Sequence, residues 1–344
     1  MIDLRSDTVT QPTPAMREAM ASAVVGDDVF GEDPTINRLQ EMAAERMGKA
    51  AGLFVPSGTM GNLVAVMAHC QRGDEALMGT FGHTFLHEAG GVSALGGVFA
   101  HTLPNQKDGT LRLEDIEEGI RSDDIHEPPS RLLILENTQN RCGGIPLSRE
   151  YTEAVAHVAH KHGVKVHVDG ARIFNAAAAL HEPAKDLVRK ADSVTFCLSK
   201  GLCAPVGSVL CGDEDFIKRA RRLRKMLGGG MRQAGILAAA GIVALEQMTE
   251  RLSEDHQRAK DLADGLARIP GIGFEMGMPQ TNMLFPSLIP SLRVSAEHVA
   301  QMLAKEGIKV DVVSDLLFRL VTHYWISDED VQKTIQCFES VISK

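Results

Sequence analysis

The sequence predicts an α/β protein: a large domain on a mostly parallel sheet, then a small C-terminal α+β domain. Three observations lead there. Apolar runs of strand length recur through the first two-thirds of the chain. Stretches of helical length and spacing separate several of them, the pattern of a parallel sheet covered on both faces. After about residue 213 helical runs dominate, and after about 270 the pattern turns mixed. We place the division near residue 245, giving 1–245 and 246–344.

The elements follow in chain order. Asp33-Pro34 opens a helix, with Asp as N-cap and Pro at the first helical position. Ile36, Leu39, Met42, Ala43 and Met47 give that helix one buried stripe. "AGLFV" (51–55) is a strand, followed by "PSGTMGN" and a helix running from near Gly58 to about Cys70. "DEALMG", "RLLILEN", "VKVHVDG", "DSVTFCLSK" and "VGSVLCG" read as further strands, and "SREYTEAVAHVAHKHG" (148–163) as a helix. Late in the chain, "LFRLVTH" is a strand and "SDEDVQKTIQCFESVIS" a closing helix.

Composition narrows the function classes. The 344 residues are 44% hydrophobic and 24% charged, ordinary for a globular chain with one large core or two. A formal net charge of -9 argues against nucleic acid or an anionic membrane as partner. No apolar run approaches the ~20 residues of a membrane span, and the polar "MIDLRSDTVT" lacks a signal-peptide core. Six scattered cysteines without a C-x-x-C fit reduced thiols, so a cytosolic protein is expected.

Three motifs of the large domain carry chemistry. In "VPSGTMGN" a strand gives way to a helix near Gly58. The free N–H groups of a helix N-terminus, aided by its dipole, form an anion site, and Ser57 and Thr59 add hydroxyls. The plainer reading is a Ser-capped turn, and the P-loop pattern is absent. In "VKVHVDGAR" Asp169 ends an apolar parallel strand, where open α/β sheets bind ligands. It either pairs with Arg172 or faces a cationic ligand nitrogen. In "DSVTFCLSKG" Lys200 closes the next strand. A lysine there simply reaches water, or it is a nucleophile, since an amine near a cation or in a dry pocket gives up its proton more readily. An anion cradle, an acid for a protonated ring nitrogen and an amine for an aldehyde are together what pyridoxal phosphate requires.

The acidic stretch "VVGDDVFGEDP" invites a metal reading through Asp27, Asp28, Glu32 and Asp33. Asp33 is more simply a helix cap and the others a solvated loop, so no metal site is expected.

The sequence resembles the L-threonine aldolases, fold-type I pyridoxal-phosphate enzymes. The resemblance covers nearly the whole chain, through "MIDLRSDTVTQPTPAMREAM", "GDDVFGEDPTINRL", "LFVPSGTMGN", "VHVDGARIFNA", "FCLSKGLCAPVGS", "GGGMRQAG" and "LVTH". It implies cleavage of L-threonine and L-allo-threonine to glycine and acetaldehyde by a homotetramer with active sites between subunits. It implies Lys200 as the Schiff-base lysine, Asp169 as the pyridinium partner, and Gly58 and Thr59 on the phosphate, with Arg232 reaching a neighbouring subunit's phosphate. His83 stacks over the cofactor ring. Ser6, Arg172 and Arg319 bind the substrate carboxylate, and His126 lies near its hydroxyl. His83, His87 and His126 are the candidate bases, with His83 and His126 preferred. Two departures stand out: Leu86 and His87 follow "GHTF", where an aromatic is common at the second place, and Gln139 replaces a common histidine in "ENTQN".

Lys200 and Asp169 are shared by many fold-type I enzymes and do not by themselves select the reaction. A β-eliminating lyase, a hydroxymethyl-transfer enzyme and a non-catalytic pyridoxal-phosphate-binding relative are the rival readings.

Overall fold

The structure is a computed structural model that describes residues 1–342. Its strands are β1 (Ile2–Asp3), β2 (Ala51–Val55), β3 (Glu75–Gly79), β4 (Phe99–Leu103), β5 (Ser130–Glu136), β6 (Lys165–Asp169), β7 (Ser193–Cys197) and β8 (Ser208–Gly212). The later ones are β9 (Ile272–Gly273), β10 (Met283–Leu284), β11 (Ser287–Leu288), β12 (Ile308–Lys309), β13 (Asp311–Val312) and β14 (Phe318–Val321).

Seven strands form one sheet in the order β2-β8-β7-β6-β5-β3-β4. Only β8 runs against the rest; it is antiparallel to both β2 and β7. Strand interiors such as Leu77, Leu133, Val166, Val194, Phe196 and Val209 are fully buried, as a sheet covered on both faces requires. The expected strands and helices are present. Strand β4 is an addition: its half-exposed "FAHTL" lacks the continuous apolar run by which the others were read. Strand β7 ends at Cys197, so Lys200 stands three residues beyond it, in a turn closed by Cys203 N–H donating to the Lys200 carbonyl at 2.9 Å.

Local chemistry explains the helix starts. Asp33 accepts from the N–H groups of Thr35 and Ile36 and caps the helix Pro34–Met47 as expected. Its other oxygen accepts from Gly235 N–H at 2.8 Å, tying that cap to a second helix. Glu32 is exposed as expected, but Asp27 and Asp28 are not solvated. Asp28 is buried against Arg224 at 2.6 Å, and Asp27 pairs with Arg232 at 3.0 Å and holds the N–H groups of Val29 and Phe30. Buried carboxylates persist when paired and bonded in this way.

A second hydrophobic cluster gathers Leu262, Leu303, Leu320, Phe318 and Phe338, together with Ile2 and Leu4. Strand β1 pairs with β12, so the first residues pack with the last hundred. The first cluster runs on through Met248 and Leu252, and the second takes in Ile2 and Leu4 from the N-terminal segment. The boundary proposed near 245 falls within a nearly continuous helical run: Gly235–Val243, a π-helical turn at Ala244–Met248, and Leu252–Leu266. That is why no Pro/Gly-rich linker marks it. Among the described residues no helix is long and apolar enough to cross a membrane.

Candidate active site

Every parallel strand of the sheet that leads to a candidate residue presents its C-terminal end at the same edge. After β2 comes Gly58, after β3 His83, at the end of β5 Glu136, at the end of β6 Asp169, and after β7 Lys200. Adjacent parallel strands thus bring residues distant in sequence into one crevice. Two adjoining cavities of about 350 and 370 Å³ open there, and they share Thr8, His83 and Lys200.

The first cavity is lined by Ser57, Gly58, Thr59, Asn62, Glu88, Asp169 and Ser199. The helix Gly58–His69 points its N-terminus at it. Ser57 caps this helix, its Oγ accepting from Met60 N–H at 3.2 Å and its carbonyl from Gly61 N–H at 3.1 Å. The N–H groups of Gly58 and Thr59 are left free for an anion. Close packing holds the helix here: a Cβ on Gly58 would lie 3.0 Å from Cys197 Sγ, and one on Gly61 only 2.6 Å from Thr195 Cγ2.

Asp169 does not pair with Arg172. One carboxylate oxygen accepts from Asn62 Nδ2 at 2.8 Å and the other from Ala171 N–H at 3.2 Å. The same Asn62 amide donates to Glu88 at 2.8 Å, and Glu88 meets His83 Nδ1 at 2.9 Å. Asn62 Oδ1 lies 3.2 Å from His167 Nε2, and His167 Nδ1 lies 2.8 Å from Ser193 Oγ. Burial pushes His167 down to about 3, so it is neutral. With Asn62 Oδ1 as acceptor, its proton sits on Nε2 and Ser193 donates to Nδ1. The chain of bonds locks Asn62, and through it the direction of Asp169.

The bond to Glu88 raises His83 above its ordinary value, and burial raises Glu88. Glu136 is a further, partly buried acid. Burial first and the neighbouring Asp169 charge second raise it to about 7. It accepts from His83 N–H at 2.7 Å and Asn140 N–H at 3.0 Å. Gln139, one of the sequence departures, supports this corner: it donates to the Phe81 carbonyl at 3.1 Å and accepts from Cys142 N–H at 2.8 Å.

The second cavity is lined by Ser6, His87, Asn140, Arg141, Arg172 and Arg319, among others. Arg172 is buried and forked onto Asp7 at 2.5 and 2.7 Å through Nη2 and Nε. Burial alone would raise Asp7, but the Arg172 guanidinium outweighs it and holds the carboxyl at about 2. Arg319 reaches Asp311 at 3.4 Å, and its buried Nε has no partner among the described residues. Burial and the neighbouring Arg172 charge lower its proton affinity. Two close guanidiniums with unspent N–H groups make a place for a carboxylate. Lys200 Nζ makes no hydrogen bond to any described residue.

The structure thus gathers Lys200, Asp169, Gly58, Thr59, His83, His87, Ser6, Arg172 and Arg319 at one edge. It does not bring in His126 or Arg232. His126 lies in an exposed loop, bonded to Asp124 at 2.7 Å, which removes it from the base role within this subunit. Arg232 is exposed on its Asp27 partner. Sequence reasoning missed Asn62, Glu88, Glu136 and Asp7. Glu136 was findable by the rule that found Asp169, an acid ending an apolar parallel strand. Asn62 was findable as the residue one turn beyond Gly58.

Comparisons with known proteins identify the family. The Beta-eliminating lyase family model matches residues 3–288. Low-specificity L-threonine aldolase 1 of Arabidopsis thaliana is 50% identical, over 99% of this chain and 96% of its own. Low specificity L-threonine aldolase of Escherichia coli K12 is 46% identical over all of both chains. In fold, the threonine aldolase of Leishmania major superposes with a TM-score of 0.84, at 20% identity, over 99% of this chain and 100% of that one. A site assembled on the C-terminal edge of the sheet and a family match along most of the chain lead to one conclusion: this chain belongs to the beta-eliminating lyase family, among the low-specificity L-threonine aldolases.

Proposed function

We propose that this chain is a pyridoxal-phosphate-dependent aldehyde-lyase that cleaves L-threonine, L-allo-threonine and related β-hydroxy-α-amino acids to glycine and an aldehyde. The observation that carries this reading is the pair of adjoining cavities joined at Lys200 and His83. One has the groups a phosphorylated pyridine aldehyde needs, and the other the groups an α-amino acid needs.

The fit can be tested residue by residue. The free N–H groups of Gly58 and Thr59 suit a phosphate. Asp169, aimed by Asn62 and Ala171, suits a protonated ring nitrogen. Lys200, unengaged, suits an aldehyde carbon. When bound, pyridoxal phosphate supplies an electron sink for the pair released from Cα.

The chain does the rest. Arg172 and Arg319 clamp the α-carboxylate; Asp7 and Asp311 fix the two guanidiniums. The clamp sets the rotation about the bond from nitrogen to Cα and so selects which Cα bond is aligned to break, an orientation effect on the order of several kcal/mol. His83 has Nδ1 held by Glu88. Its Nε2 is then the atom that takes the β-hydroxyl proton as the Cα–Cβ bond breaks, directly or through water, with His87 beside it at 5.5 Å between ring centroids. A homotetramer, with Arg232 serving a neighbouring subunit's phosphate, and a cytosolic location belong to the same proposal. The six free cysteines, five of them buried, support the location.

The test is release of acetaldehyde and glycine in equal amounts from L-threonine and L-allo-threonine, with pyridoxal phosphate and no folate. Release of a 2-oxo acid and ammonia instead would favour β-elimination. Lys200→Ala should lower the rate by about a thousand-fold or more, comparable with loss of a principal proton-transfer group. Cofactor-dependent turnover surviving in that variant would sink the mechanism.

A further inference from the structure

We infer that the β-substituent side of this site is built for an anionic group, so that the substrates include β-hydroxy-α-amino acids carrying a second carboxylate. The inference rests on the aldolase reading above and deepens it.

The substrate cavity holds three arginines. The Arg172 charge is felt at Arg319, and each keeps an N–H-bearing nitrogen without a partner among the described residues, Nε on Arg319 and Nη1 on Arg172. A single α-carboxylate between them satisfies both. The third, Arg141, has a different setting. It is exposed and makes no ion pair with any described residue, it lines the same cavity, and it follows Asn140, whose N–H shares the Glu136 carboxylate with the His83 N–H. It therefore stands on the side of His87 and His83, where the β-hydroxyl is received.

The substituents of a bound substrate then have fixed partners. The amine goes to the Lys200 side, the α-carboxylate to Arg172 and Arg319, and the β-hydroxyl to His83. The remaining β-substituent faces the wall formed by Arg141 and Asn140. A methyl group there leaves the exposed Arg141 guanidinium to water alone. A carboxylate meets it as a charge-assisted pair.

With 3-hydroxyaspartate the step balances. The β-hydroxyl loses its proton to His83 and the Cα–Cβ bond breaks. Its electron pair stays on Cα, which takes up a proton to give glycine. The β-carbon leaves as the aldehyde of glyoxylate. No oxidant or reductant is consumed.

The experiment compares kcat/KM for L-3-hydroxyaspartate with that for L-3-hydroxyasparagine, its near-isosteric neutral amide, in both β-configurations, with L-threonine alongside. The holoenzyme is used. We expect the acid to exceed the amide by about ten-fold, the scale of one hydrogen bond to a charged group. Arg141→Met should bring that ratio towards one, and Arg141→Lys should recover part of it. An acid-to-amide ratio near one in the unaltered enzyme, with L-threonine cleaved, overturns this inference and leaves the aldolase reading standing. Equal losses on all three substrates in Arg141→Met also overturn it, placing Arg141 on the α-carboxylate. Failure to cleave any of the three removes the aldolase reading itself.

Discussion

Glu136 and Asp169 end neighbouring parallel strands side by side, in register across β5 and β6. Two carboxylates are thus held at the one place where the sheet opens to the site. Asp169 is compensated by Asn62 and Ala171, and Glu136 by the N–H groups of His83 and Asn140. Like charges this close do not both ionise freely, and Glu136 is the one raised.

That pairing predicts a pH dependence of stability. Glu136 is raised from 4.5 to about 7 in the folded chain. Below pH 4.5 both folded and unfolded states carry the proton. Between 4.5 and about 7 the unfolded state loses it first, so stability falls as pH rises; above 7 the loss is complete. Tm of the cofactor-free protein, followed across this window, should decline less steeply in Glu136→Gln. Identical slopes would mean that Glu136 titrates normally.

Asn62 serves two buried acids with one amide. Asn62→Ala should cost about 1–3 kcal/mol for each oxygen left unsatisfied. Asn62→Asp should be worse, because a third carboxylate joins Asp169 and Glu88. Urea denaturation measures the first effect. Pyridoxal phosphate affinity measures the second consequence, loss of direction at Asp169, and unchanged affinity would deny Asn62 its orienting part.

Glu88 raises the proton affinity of His83 through their bond. A base must be neutral to act, so the acid limb of kcat/KM against pH should lie above histidine's ordinary value of about 6.5. Glu88→Gln should move that limb to lower pH and reduce the rate at its plateau, since the ring is held less firmly. A limb that stays put would assign it to another group.

Gly61 lets the helix Gly58–His69, proposed to hold the phosphate, approach β7. Gly61→Ala would set a Cβ 2.6 Å from Thr195 Cγ2, so the helix must shift outwards. Overpacking of this kind costs about 1–3 kcal/mol. The N–H groups of Gly58 and Thr59 move with the helix, and cofactor affinity should fall more than thermal stability does. Equal affinity in a folded variant would show that the cradle tolerates the shift.

Much was legible in the sequence because it was local. Alternating apolar and helical runs marked β2, β3 and β5 to β8. Ser57 and Asp33 announced the helix starts they cap. Asp169 and Lys200 were found by their places near strand ends. Strand β4 escaped because "FAHTL" is half exposed. Asp28 was read as solvated, since its partner Arg224 is 196 residues away. Arg172 was offered Asp169, three residues off, yet its partner is Asp7, 165 residues away. His126 and Arg232 came from resemblance alone, and within this subunit both remain at the surface.

The sequence by itself determined most strands and helices of the large domain, the Asp33 and Ser57 caps, and the places of Asp169 and Lys200 near strand ends, because these depend on periodicity and on neighbours a few positions apart. Only the tertiary structure decided the partners: Asn62 between Asp169 and Glu88, Asp7 on Arg172, Glu136 beside Asp169, and Arg141 in one cavity with Arg172 and Arg319. The physical reason is that a parallel sheet joins its strands through long crossovers. Side chains at its C-terminal edge meet across gaps of tens to hundreds of residues, and no local pattern records which of them will share a charge or a proton.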